Sequence, residues 1–258
     1  MSKGATPDQV AATIAAFFEH RDIAELSPRR RLTWQVGDTA REIIEQLVDT
    51  RATDDDLAAV LTELEQVVGR LRRFDHGRRY DGYGEAATAG GEPPLGHADF
   101  SPLIGRANPI APPMVFTLES EIGSLAPEVG ATVNFGSAYE GPPGFVHGGI
   151  VAAAFDEIMG STQALTGNPG MTGTLTISYR APTPLHTDLR FVSRLAGIDG
   201  RKITVTSQLL AGEVLCAEAT AVFISIDFDR LMQMQIERNQ DSGASPDAAP
   251  DEATTAKS

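Results

Sequence analysis

In GPPGFVHGGIVAAAFDEIMG two glycines and a histidine stand at the mouth of an apolar run, and one carboxylate, Asp156, lies inside it. The run reads as a helix. Gly148 and Gly149 then offer the unpaired amides of a helix amino terminus, where the dipole favours developing negative charge and the missing side chain lets a ligand come close. These are the makings of an oxyanion site. A carboxylate within an apolar helix is costly unless it is paired, hydrogen-bonded or used, so Asp156 reads as a buried functional group. The adjacent Glu157 reads as a solvent-facing neighbour. Together they offer a donor for a developing oxyanion and a base or nucleophile.

Spacing constrains how the two groups cooperate. Gly148 and Asp156 are eight residues apart, about 12 Å of helix rise. Even leaning back towards the amino terminus, the Asp156 side chain does not readily reach a carbonyl held at its own helix start. Two such helices, antiparallel across a two-fold axis, bring Asp156 of one chain near Gly148 of the other. The expectation is a homodimer with two composite sites.

The surrounding pattern is β, helix, then β. Met114, Phe116 and Leu118 alternate with Val115, Thr117 and Glu119, and Ala131, Val133 and Phe135 with Thr132 and Asn134, which predicts a hairpin. After the breaker at Gly167, Asn168, Pro169 and Gly170 come extended runs over 172–180, 188–198, 202–210 and 214–226. Their short turns favour antiparallel neighbours. The fold class is α+β: an antiparallel sheet of about six strands wrapped round one buried helix, residues 112–230.

Residues 1–74 read as a helical amino-terminal extension. Val10, Ile14, Phe17 and Phe18 open it; Ala40, Ile43, Ile44, Leu47 and Val48 continue it after Asp38; and a longer stripe from Leu57 to Leu71 follows, capped by Thr53 or Asp54. A structural cap is the simplest role for these helices. Residues 75–111, rich in Gly, Pro and charge, form a linker or long ordered loop, and 231–258 a mostly disordered acidic tail. The cluster Arg29, Arg30, Arg31 reads as a solvated helix end.

Composition removes several function classes. Net charge is −14, a field that repels a phosphate backbone, so no nucleic-acid partner is expected. The single cysteine, Cys216, excludes a disulfide framework and reads as a buried strand residue. The five histidines lack metal-ligand spacing, and the glycine run Gly82 to Ala87 lacks the strand and helix of a dinucleotide fold. No apolar stretch is long enough for a membrane span, and no signal-peptide core opens the chain; the expected location is cytoplasmic.

The segments YEGPPGFVHGGIVAAAFDEIMG and MTGTLTISYRAPTPL resemble the hotdog-fold acyl-CoA thioesterases, nearest to the PaaI-like proteins and to thioesterase-superfamily members with an amino-terminal extension. The resemblance spans about residues 100–228. It implies a hotdog fold, hydrolysis of a fatty or aryl acyl-CoA in lipid metabolism, and a dimer or a dimer of dimers. By position, the Gly148 amide would polarise the thioester carbonyl, with Gly149 beside the substrate. Asp156 of the facing subunit would act as general base or nucleophile. Thr172 would help place the water, and His147 would orient the loop. Some members carry Asn six residues before that histidine, where this chain has Gly141. No metal or redox cofactor is needed, CoA entering only as part of the substrate. Alternatives are a non-catalytic acyl-CoA sensor or scaffold on the same fold, and a hotdog hydratase or dehydratase, for which the helix entrance lacks the required Asp and His pair.

Overall fold

The computed structural model describes residues 26–74, 97–121, 124–168 and 170–225. The first expected helix around Val10 to Phe18, the glycine run near Gly82 and the acidic tail lie outside them. Strand β1 (Val115–Leu118) pairs antiparallel with β2 (Glu128–Asn134), as the alternation predicts. Strands β3 (Gly170–Tyr179), β4 (Asp188–Asp199), β5 (Lys202–Ala211) and β6 (Val214–Ser225) complete a six-stranded sheet of order β1-β2-β4-β5-β6-β3. Every pairing is antiparallel. The two tight hairpins turn on Gly200 and Gly212, both at positive φ, where a side chain would be strained.

Between β2 and β3 runs the central helix. Labelled α4 (Gly148–Ala164), it lays Val151, Ala154, Phe155, Ile158 and Met159 into the concave sheet, all fully buried. Phe155 meets Phe191 of β4 edge-on at 5.1 Å. Burying each large side chain stabilises the fold by about 1.5–3 kcal/mol. Thr162, also buried, satisfies its hydroxyl on Ser193 Oγ and Ile158 O, both at 2.8 Å. Its opposite face, with Gly149, Ala152, Ala153, Asp156 and Gly160, is exposed or half-buried within one chain. The helix is thus buried where the sheet wraps it, as expected, and its remaining surface is exposed or half-buried within one chain.

Helix α1 (Pro28–Asp49) begins ten residues before Asp38, ahead of the apolar repeat from Ala40 to Val48, with Ser27 as its cap and Pro28 at its first position. Apolar periodicity is weak over that stretch, so the start is marked by the Ser-Pro pair instead. Helix α2 (Asp54–Leu71) is capped by Thr53, and its cap forms a reciprocal pair with Asp56. A one-turn helix, α3 (His97–Phe100), opens the segment that receives α1.

Polar contacts dominate that docking. Arg30 reaches Asp99 through two parallel bonds, Nε to Oδ2 at 2.9 Å and Nη2 to Oδ1 at 3.0 Å. Both residues are buried. Arg30 thus departs from the solvated helix end expected of its cluster, because Asp99 arrives from a distant loop to neutralise it. Arg41 donates to the carbonyls of Ala111, Asn108 and Arg106 at 2.6, 3.0 and 3.2 Å. Trp34 lies between the guanidinium groups of Arg30 and Arg106, each 5.3 Å from its ring. Further along, Glu45 accepts from the amides of Ser137 and Ala138 at 2.7 and 3.2 Å. No helix among the described residues is long and apolar enough to cross a membrane.

Trp34 is the only tryptophan and reports on this docking. Replacing Arg30 with Ala leaves Asp99 buried and unpaired, a loss of about 3–5 kcal/mol. A red shift of the tryptophan emission and earlier melting of α1 are expected; an unmoved spectrum and melting curve would refute the pairing. Burial pushes the Glu45 carboxyl up, but the two amides, the Ser137 hydroxyl and nearby His186 outweigh it and hold it below its usual range. A lowered carboxyl stabilises above its unfolded value of about 4.3 and loses that contribution as pH falls through the lower folded one. Trp34 emission in an acid titration should therefore hold steady to about pH 4 and shift below it. Glu45→Gln should flatten the part of that change due to this group.

Candidate active site

The entrance to α4 is stitched on both sides. The Val146 amide donates to Thr183 O, and the His147 amide to Tyr139 O, both at 2.9 Å. His147 is the helix cap, its Nδ1 accepting from the Gly149 amide at 3.0 Å. That bond consumes Nδ1 and leaves the neutral imidazole proton on Nε2. His147 thus bonds across the turn at the helix entrance. It also leaves the Gly148 amide as the first of the helix, with no preceding carbonyl to receive it.

Tyr179, at the end of β3, donates its hydroxyl to Gly148 O at 2.7 Å. Sequence reading did not single it out; its signal is an aromatic ring with a polar tip closing an apolar strand face. Position 141 is closed to larger residues. A Cβ on Gly141 would stand 2.8 Å from the His147 Cα, so this loop path admits only glycine there.

Just over two helical turns after Gly148, Asp156 Oδ1 accepts from Thr172 Oγ1 at 2.7 Å. Asp156 is exposed within one chain, which corrects the buried carboxylate expected of an apolar helix. The physical reason is its place on the helix face turned from the sheet. Among the described residues its second oxygen has no hydrogen-bond partner.

Thr172 meets Asp156 because β3 carries an irregularity. The register with β6 shifts between Thr172 and Thr174, so Gly173 is an extra residue. Beyond the shift, Leu175 and Ile177 pack against the core and Tyr179 meets α4. The bulge changes the strand's alternation and brings Thr172 onto that same side.

Glu157 is half-buried and accepts from Ser101 Oγ at 3.2 Å, rather than simply facing solvent. Ser101 ties the segment that receives α1 to the helix carrying Asp156, a link that no local pattern announces.

One chain thus assembles two clusters. His147, Gly148 and Gly149 form the first with Tyr179; Asp156 and Thr172 form the second. They occupy separate stretches of the same rod and are not brought together within the chain. Cys216 is fully buried, and burial pushes its thiol up, so it stays protonated and shielded at neutral pH. Among the exposed basic residues of the sheet, Arg180 pairs with Glu218, with Nε at 3.0 Å from its carboxylate. Arg201 donates to Ser225 O. Lys202 is exposed, with no hydrogen-bond or ion-pair partner among the described residues. Among those residues no three His, Cys, Asp or Glu side chains gather as a metal site requires.

Comparisons with known proteins agree with this architecture. The thioesterase superfamily model matches residues 143–217, from the loop before α4 to the opening of β6. The acyl-coenzyme A thioesterase THEM4 of Mus musculus is 42% identical over 90 residues, which is 34% of this chain and 39% of that protein. Its Xenopus laevis counterpart is 37% identical over 93 residues, 35% of this chain and 42% of that protein. The chain spans about two fifths of the length of these curated relatives. A solved thioesterase superfamily protein superposes with a TM-score of 0.63 at 30% identity, covering 74% of this chain and 94% of that one. With its hotdog sheet, its His-Gly-Gly helix entrance and a relative matched along nearly its whole length, the chain belongs to the thioesterase superfamily.

Proposed function

We propose that this protein hydrolyses an acyl-CoA thioester to the free acid and CoA, in composite sites between two copies of the chain. The carrying observation is the division of the machinery along α4: an amide at its first residue with no acceptor among the described residues, and, too far away to help it, a carboxylate oriented by Thr172 whose other oxygen has no partner among them. A second helix laid antiparallel supplies to each end what that end lacks. Two further features favour such a pairing. The outward face of α4 is small, with Gly149, Ala152, Ala153 and Gly160 allowing close approach. Beside it, β3 is a ten-residue strand at the edge of the sheet, with no neighbouring strand on its outer side among the described residues, a template for pairing with a second copy. The curated relatives named acyl-coenzyme A thioesterase support the choice of substrate.

In this reading the thioester carbonyl lies against the Gly148 amide of one subunit. Asp156 of the other takes a proton from water, whose oxygen adds to the carbonyl carbon. The resulting oxyanion is held by the amide and the helix dipole, where such donors contribute most. Its collapse breaks the carbon–sulfur bond, and the departing thiolate recovers the proton. Asp156 as direct nucleophile, through an anhydride that water then opens, uses the same geometry. Thr172 fixes the carboxylate rotamer in either case. The lone buried cysteine suits a reducing compartment, and the cytoplasm is the proposed location.

Two experiments test the proposal. With acyl-CoAs of graded length, Asp156→Asn should lower thiol release by about 10²-fold or more. Thr172→Ala should lower it by about tenfold, the value of one hydrogen bond. Equal rates in wild type and Asp156→Asn would remove the carboxylate from the mechanism. The second replaces the amide donor with a proline ring. Gly148 is the first helical residue, a place proline tolerates, and His147 before it already has the extended backbone that proline demands. Gly148→Pro should be inactive, as should Asp156→Asn. Dimers randomised between them should regain about a quarter of wild-type activity, because half are mixed and each mixed dimer restores one of two sites. No recovery on mixing would place both groups' work within one subunit and refute the shared site.

A further inference from the structure

Helix α2 carries an apolar stripe that nothing in the described fold uses. Leu57, Leu64 and Leu71 recur every seven residues, with Val60 and Val67 at the intervening d-type positions and Leu61 and Val68 beside them. None is buried, and Leu61 and Leu71 keep 58% and 52% of their surface. Among the described residues no element lies along this helix. The helix is nevertheless well specified at its start, by the Thr53 and Asp56 capping box. A stable helix with a seven-residue apolar repeat is shaped for another helix.

Its charges select which one. Asp54, Asp55 and Asp56 fill the first turn and Arg70 the last, with Arg72 and Arg73 just beyond. A parallel copy would stack acid on acid and base on base. An antiparallel copy sets each acidic end against a basic one, and also opposes the helix dipoles. The stretch from Asp54 to Arg73 holds five acids against three arginines, which disfavours an anionic lipid surface as the occupant. We infer that α2 pairs antiparallel with α2 of a second copy of this chain, an association surface separate from the α4 and β3 faces and independent of the proposed reaction.

The full chain permits a direct test, since its only cysteine is fully buried and silent to thiol reagents. Leu57→Cys and Leu71→Cys chains are prepared separately and co-expressed, then treated with a short bismaleimide. Like positions on an antiparallel pair are about 21 Å apart, beyond such a linker, whereas Leu57→Cys and Leu71→Cys lie close. The co-expressed sample should give at least about tenfold more cross-linked dimer than either variant alone, through local concentration. Adding Arg70→Glu and Arg73→Glu to the Leu71→Cys chain should cut that yield several-fold at low salt. Because α2 packs on nothing in the described fold, these variants should melt like the wild type. Cross-linking within either single variant as efficient as in the mixture would mean a parallel pair and overturn the inference. Absence of cross-linking in all three samples would also overturn it, giving the stripe to another occupant, such as residues 10–18 of the same chain.

Discussion

An α-helix is a ruler that cannot be shortened, and the rest of this structure is arranged around that fact. The Gly148 amide and the Asp156 carboxylate are fixed to one rod at a separation set by backbone hydrogen bonds. No side-chain rotamer closes it. The fold does not bend α4 to bring them together. It anchors one side of the helix in the sheet through Phe155, Ile158 and their neighbours, and leaves the side bearing Asp156 exposed or half-buried within the chain. Rigidity that prevents an intramolecular site is also what would keep an intermolecular one in register.

Around this rod the two halves of the protein use different forces. The sheet and α4 are joined mainly by apolar packing. Helix α1, by contrast, is held by guanidinium and carboxylate groups: Arg30 on Asp99, Arg41 on three carbonyls, Glu45 on two amides. A buried ion pair contributes little net stability over an apolar substitute, but it is intolerant of misalignment. The arrangement therefore fixes where α1 sits more than how strongly it is held. Through Asp99 and Ser101 the same segment reaches Glu157, the neighbour of Asp156. The amino-terminal helix is thus continuous, by hydrogen bonds and chain, with the central rod.

Much of this was legible in the residues, for a physical reason in each case. Period-two alternation and short glycine turns reveal antiparallel strands because both are local properties. His147, Gly148 and Gly149 could be read as a helix entrance because a cap acts within its own turn. What escaped depended on distant partners. Arg30 looks like a surface charge until Asp99, far along the chain, meets it. Asp156 looks enclosed because composition shows how apolar a helix is, not which of its sides the sheet covers. Thr172 reaches its partner through the extra residue at Gly173, and a one-residue irregularity inverts every inference drawn from simple alternation beyond it. Tyr179 shares that difficulty.

The seclusion of Cys216 bears on chemistry that the product itself would bring. A catalyst that liberates a mercaptan works amid a rising pool of sulfhydryl and, wherever oxidants reach, of its mixed disulfides. Such species derivatise any thiolate they can touch. This chain presents them with none: its lone thiol is sealed within the sheet, and burial keeps it protonated and poorly nucleophilic. With the proposed activity, the protein would accumulate turnover without becoming capped by what it releases.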